Sequence, residues 1–160
     1  MGKQLANELI EFIHKSPSSF HVVLNAKQEL LEHGYKQLFA GDAWDIQKGG
    51  KYFVTKNHSS LFAFEIGSGD ITDGFKLVCT HSDSPTFRIK PNAEIPVAGK
   101  YLKLNTEVYG GPILYTWFDR PLSMAGRVML KSSEPLKPAV HFVNFNRPML
   151  VIPHIAIHFN

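Results

Sequence analysis

Hydrophobic positions follow a helical period at the start of the chain and a period of two further on. Leu5, Leu9, Phe12 and Ile13 recur at helical spacing with Glu8, Glu11 and Lys15 off the stripe, which predicts an amphipathic helix. Pro17 ends it, because the residue before a proline is pushed out of the helical region. Ser18 or Ser19 can cap a second helix carrying Phe20, Val23, Leu24, Leu30 and Leu31, and Gly34 is its natural left-handed stop. Lys51–Asn57 and Leu61–Gly67 then alternate as two strands joined through His58-Ser59-Ser60, a hairpin. Phe75–Thr80 is nearly all apolar and reads as a third strand buried on both faces.

From Pro85 onward the texture changes. Nearly all the prolines lie there, and short strand-like pieces alternate with turns: Thr86–Lys90, Tyr101–Val108, Ile113–Phe118, Ala125–Leu130 and Ala139–Asn144. The expected division is therefore an α/β part over residues 1–84 and a β-rich unit over 85–160, interrupted at Gly110-Gly111-Pro112. No repeat or low-complexity segment breaks this pattern. The last residues, Ile157-His158-Phe159-Asn160, sit in an apolar stretch with no closing cap, so the second unit reads as incomplete.

Composition narrows the function classes. The 160 residues are 44% hydrophobic and 19% charged, which is globular and unlike a disordered chain. Lys and Arg number 17 against 14 Asp and Glu, a net charge of +3 with no basic block, which argues against nucleic acid and anionic membranes as partners. One cysteine, Cys79, cannot close an internal disulfide. No apolar run approaches the ~18–20 residues of a membrane span. The amino terminus lacks the apolar centre of a signal peptide. Gly2 invites a myristoylation reading, but Ala6 stands where Ser or Thr is needed. The expected location is cytoplasmic.

Few residues are candidates for chemistry. His81-Ser82-Asp83 follows the apolar run Phe75–Thr80, and the carboxyl ends of strands are where α/β sheets hold their sites. A histidine there can bind zinc through one ring nitrogen while the carboxylate takes the other N–H and fixes the tautomer. The triplet alone is a weak signal, and a structural histidine accounts for it equally well. His154 and His158 stand four apart, as in the helical zinc motif His-Glu-x-x-His. Ile155 occupies the place of the catalytic Glu, which excludes that protease class, and two partly buried histidines are the plainer reading. Cys79-x-His81 offers too few ligands for a closed zinc site. The chain has no P-loop, no Gly-x-Gly-x-x-Gly and no nucleophile elbow. Twelve Phe and five Tyr could stack on single-stranded nucleic acid, but no RNP-type run is present and core packing accounts for them.

Longer strings are more specific. Gly49-Gly50-Lys51-Tyr52-Phe53, Thr55-x-Asn57, Leu61-x-Ala63-Phe64 and Thr80-His81-Ser82-Asp83-Ser84-Pro85 occur in order. Tyr109-Gly110-Gly111, Thr116-Trp117-Phe118-Asp119-Arg120, Ala125-Gly126-Arg127-Val128 and Pro153-His154-Ile155-Ala156-Ile157-His158 follow. Together these strings resemble the aspartyl aminopeptidase family over essentially the whole chain. Pro121 departs from the pattern where many relatives carry another acidic residue, which implies a local loop effect and unchanged chemistry.

The resemblance implies a cocatalytic exopeptidase with two zinc ions per active site that acts on peptides with acidic amino-terminal residues. It implies the fold class as well: the N-terminal portion of a zinc-exopeptidase α/β catalytic domain, followed by a β-rich dimerisation and lid insertion. His81 matches a ligand of one zinc, and Asp83 matches the carboxylate that orients the site. His158 matches a histidine lent to the neighbouring subunit near the scissile carbonyl. Dimers assembling into a larger tetrahedral particle are implied too. The family's bridging Asp, adjacent Glu-Glu pair, further Asp and final His have no counterpart, since only Glu94, Glu107, Asp119 and Glu134 follow Asp83 as acidic residues. The chain thus reads as an N-terminal part of such an enzyme, inactive alone. A non-catalytic assembly module derived from one is the alternative.

Overall fold

The computed structural model describes residues 2–70, 72 and 74–159. Helix α1 spans Gly2–Lys15 and α2 spans Ser19–Glu32. Lys15 closes α1 with positive charge, matching the negative end of its dipole. Asn25 of α2 donates its side-chain amide to the Lys15 carbonyl at 2.9 Å, satisfying one orphan acceptor of the α1 terminus. Ser18 caps α2, its hydroxyl 2.8 Å from Nδ1 of His21. At the other end Gly34 adopts a φ of +81°, and Tyr35 and Gly34 donate their N–H groups to the carbonyls of Leu30 and Leu31. This paired closure depends on the left-handed glycine.

Strands β1 (Lys36–Gln37), β2 (Lys51–Lys56) and β3 (Ser60–Glu65) form one sheet in that order, β1 parallel and β3 antiparallel to β2. On one face Tyr52 lies opposite Phe64, with rings 5.5 Å apart, and Trp44 stacks on Phe64 at 6.3 Å. Phe53, fully buried, and Ala63 take the other face, where Ala63 lies beside Phe12, Ala26 and Leu30 of the helices. Gly50 is needed at the strand entrance, since a Cβ there would collide with the Tyr52 ring. The Tyr52 hydroxyl in turn accepts the Gln47 N–H at 3.0 Å.

Strands β4 (Thr86–Val97) and β5 (Tyr101–Tyr109) form a long antiparallel hairpin whose register shifts between Ile89 and Glu94. Pro91, which has no N–H for the ladder, and Asn92 at φ +53° occupy that irregularity. Strands β6 (Ala125–Leu130) and β7 (Ala139–Asn144) form a second antiparallel hairpin.

Four expectations need correction. Phe75–Thr80 is not a buried strand: it has no ladder partner among the described residues, and Phe75 and Val78 are 85% and 91% exposed. Apolar character alone supplies no hydrogen-bonding neighbour, and a strand exists only as part of a ladder. Ile113–Phe118 is a single 3₁₀ turn over Leu114–Thr116, closed by Thr116 N–H to Ile113 O at 3.1 Å. The β2–β3 turn is Asn57–Ser59, with Ser60 already in β3. Leu5, Leu9 and Ile13, expected to face a core, are exposed, and only Phe12 of the α1 stripe is half-buried.

The chain divides into two compact units, residues 1–83 with 124–145, and residues 84–123 with 146–160. The first therefore includes the β6–β7 hairpin, which the sequence had suggested for the β-rich part. The reason is local packing: Phe142 of β7 stacks on Phe20 of α2 at 6.5 Å and meets His21 and His58 edge-on.

Candidate functional site

His81 and Asp83 lie in the segment after residue 80, in the first unit. Nδ1 of His81 is 2.9 Å from Oδ1 of Asp83. The imidazole is 90% exposed and the carboxylate 33% exposed, so the ring projects from a better covered anchor. Between them Ser82 turns the other way and donates its hydroxyl to the Ser59 carbonyl at 2.9 Å. A carboxylate on Nδ1 favours the tautomer with the proton on that nitrogen, which leaves the Nε2 lone pair outward, as a metal ligand requires. This is the one pair among the expected site residues that the fold brings together.

His158 sits in the second unit, exposed, within the 3₁₀ turn Ile157–Phe159. His154, half-buried, stacks on Phe118 with ring centres 4.8 Å apart and 15° between planes. Its N–H donates to Oδ1 of Asp119 at 3.0 Å. His154 is thus packed against Phe118 while His158 is exposed, so the reading of two partly buried histidines holds for His154 and fails for His158. Asp119 is the residue that sequence reasoning missed. It lies inside Trp117-Phe118-Asp119-Arg120 and ties that string to Pro153-His154.

Zinc in hydrolytic sites takes roughly three protein ligands and leaves a further position open. His81 suits one of these positions, with Asp83 behind it. Among the described residues no three His, Cys, Asp or Glu side chains come together to hold a metal ion. The chain supplies one ligand and its orienting carboxylate, and does not by itself make a zinc centre. A cavity of about 430 Å³ in the first unit is lined chiefly by Phe20, Val23, Leu24, Phe39 and Phe142, and neither His81 nor Asp83 borders it. It carries no candidate chemistry.

The family model for aminopeptidase I zinc metalloproteases, M18, matches residues 12–160. The chain belongs to the M18 aminopeptidase family. Over 158 residues it is 52% identical to a protein described as a probable M18 family aminopeptidase 2 from Clostridium novyi (strain NT), covering 98% of this chain and 36% of that protein. Among solved structures, mApe1 of Chaetomium thermophilum superposes with a TM-score of 0.90 at 36% identity, covering 99% of this chain and 36% of the other. The S. cerevisiae mApe1 dodecamer superposes with a TM-score of 0.85 at 29% identity, covering 96% of this chain and 36% of that one. The M18 chain described here thus spans about a third of the length of such relatives. Its mixed helix and sheet architecture matches their N-terminal portions. No helix among the described residues is long and apolar enough to cross a membrane.

Proposed function

We propose that this M18 chain is the N-terminal third of a zinc-dependent aminopeptidase that removes acidic amino-terminal residues from peptides in the cytoplasm. The observation that carries this reading is the His81–Asp83 pair, held at 2.9 Å through Nδ1 with the imidazole 90% exposed. In that role Asp83 holds the proton on Nδ1 and keeps the ring from rotating, and His81 provides a neutral nitrogen donor. When bound, zinc supplies Lewis acidity toward the peptide carbonyl and makes water a stronger nucleophile near neutral pH. His158 donates a hydrogen bond to the oxyanion that develops on the scissile carbonyl in a neighbouring subunit, a contribution worth ~10²–10³ in turnover. That role requires a homo-oligomer, which a relative solved as a dodecamer supports; dimers assembling into a tetrahedral particle are part of the proposal. Two zinc ions per site, most of their ligands and the general base belong to chain beyond this third.

A second reading gives this M18 chain no catalytic role. On that reading the chain is a non-catalytic assembly module derived from such an enzyme.

The test is to express the protein extended to the length of its relatives and assay peptides with amino-terminal Asp, Glu or Leu. Activity abolished by chelation, restored by zinc and highest on Asp or Glu is expected. An extended, folded protein that stays silent with zinc on all three peptides overturns the enzyme reading and leaves the assembly module. Activity highest on Leu overturns the acidic preference alone.

A further inference from the structure

The turn between β2 and β3 is held from two sides. Asn57 and His58 both have left-handed backbone, with φ of +50° and +58°. Two successive non-glycine residues stay in that conformation only where their surroundings support it. Both outer carbonyls of the Asn57–Ser59 turn are engaged. The Asn57 carbonyl accepts Nη1–H of Arg127 at 2.7 Å, and the Ser59 carbonyl accepts the Ser82 hydroxyl at 2.9 Å.

Each bond leads elsewhere. The Arg127 guanidinium, on β6, also covers the Phe20 ring at 4.5 Å, and Phe142 on β7 meets the His58 ring edge-on at 5.7 Å. The turn is thereby fixed to α2 and to the β6–β7 hairpin. Ser82 sits between the two residues of the candidate zinc dyad, and its hydroxyl bonds this turn. Residues 75–80 have no ladder partner among the described residues, so the Ser82 hydroxyl supplies anchoring that a strand would otherwise give.

The geometry points to Ser82 and Arg127 as positioning residues: acting through the Asn57–Ser59 turn, they hold His81 against Asp83 so that Nδ1 meets the carboxylate and Nε2 stays outward. This rests on the reading of His81 as a zinc ligand, and it adds to that reading a bracket built from a second hairpin. A merely structural role would change melting temperature and leave the imidazole as it is.

The experiment reads the His81 tautomer by ¹⁵N NMR of the full chain, at a pH where the ring is neutral, with exposed His14 of α1 as internal reference. In the unsubstituted chain His81 is expected mostly as the Nδ1–H form, unlike His14. Ser82→Val removes the hydroxyl and Ser82→Thr keeps it at the same shape. Val should move His81 toward the His14 mixture, Thr should not, and Arg127→Lys should move it by less than Val. In the protein extended to its relatives' length, Ser82→Val should weaken zinc by roughly 10-fold in chelator competition, the low end of losses seen when ligand-orienting groups go. KM at saturating zinc should be unchanged.

A His81 tautomer identical in the Val and Thr variants overturns the inference, as does an unsubstituted chain with no Nδ1–H preference. If Ser82→Val does not fold, Arg127→Lys decides by the same tautomer readout. The two readings fail separately. An extended protein without peptidase activity sinks the enzyme assignment and leaves the tautomer result standing. An active enzyme with unaltered tautomer and zinc affinity in Ser82→Val sinks only the bracket.

Discussion

The carboxylate of Asp119 accepts the backbone N–H of His154 at 3.0 Å, joining two parts of the second unit that are 35 residues apart in sequence. Asp119 holds this position with a left-handed φ of +52°, while its own N–H donates to the Ile152 carbonyl at 3.0 Å. One residue thus acts as backbone donor, side-chain acceptor and chain bend. Asp and Asn tolerate that backbone region better than other side chains.

Asp119→Ala removes the acceptor and puts an ill-suited residue at positive φ, so it should destabilise by ~1–3 kcal/mol. Asp119→Asn keeps a carbonyl acceptor and the backbone preference and should lose less. Asp119→Gly relieves the backbone and still loses the acceptor. Hydrogen exchange at the His154 amide distinguishes them: fast in Ala and Gly, slower in Asn. An amide equally protected in all three would show that the bond contributes nothing.

Burial lowers the pKa of His21 from 6.5, so the folded chain prefers the ring neutral while the unfolded chain accepts its proton at the ordinary value. The unfolded state then binds more protons below that value, and stability falls with falling pH. The His21 contribution is complete above about pH 6.5 and is lost progressively as pH drops through the folded-state pKa. Melting curves at pH 7.5 and 5.5 should show a larger acid loss for the unsubstituted chain than for His21→Asn. Equal losses would place the acid sensitivity elsewhere.

Alone, the 160-residue chain should neither retain stoichiometric zinc after chelation nor hydrolyse an Asp-terminated peptide, because it offers one imidazole where roughly three protein ligands are needed. Zinc analysis and a peptidase assay on the same purified fractions provide the check. Turnover that follows this chain through purification would contradict it.

In the protein extended to the length of its relatives, His81→Ala should lose zinc, whereas His158→Ala should keep it. Loss of one oxyanion donor should lower kcat and kcat/KM together by ~3–4 kcal/mol at most. Mixing the two inactive variants under subunit exchange should restore part of the activity, because some sites combine intact metal ligands with a donated His158. No recovery under proven exchange would place His158 within its own subunit's chemistry or packing.

Phe75, Leu77 and Val78 form an exposed apolar run without a ladder partner among the described residues. Such a run recruits partners, so the isolated chain should self-associate. Val78→Lys should reduce association in light scattering with little change in melting temperature, since Val78 is 91% exposed. A monodisperse unsubstituted monomer would remove the basis for this expectation.

Local rules alone determined a good deal. Both helices, the Ser18 cap, the Gly34 stop, the β2–β3 pairing and the β6 and β7 bounds follow from periodicity and capping chemistry acting within a few residues. The His81–Asp83 pair was legible because a single residue, Ser82, separates them. Tertiary structure decided what depends on a partner distant in sequence. Phe75–Thr80 has the composition of a buried strand and no ladder partner among the described residues, so burial could not be read from its residues. The β6–β7 hairpin joins the first unit because Phe142 and Arg127 find Phe20 on α2. Likewise Asp119 reaches His154, and Ser82 reaches Ser59, across 35 and 23 residues. A hydrogen bond or ring contact of that span leaves no periodic trace along the chain, because only the folded path brings its two ends together.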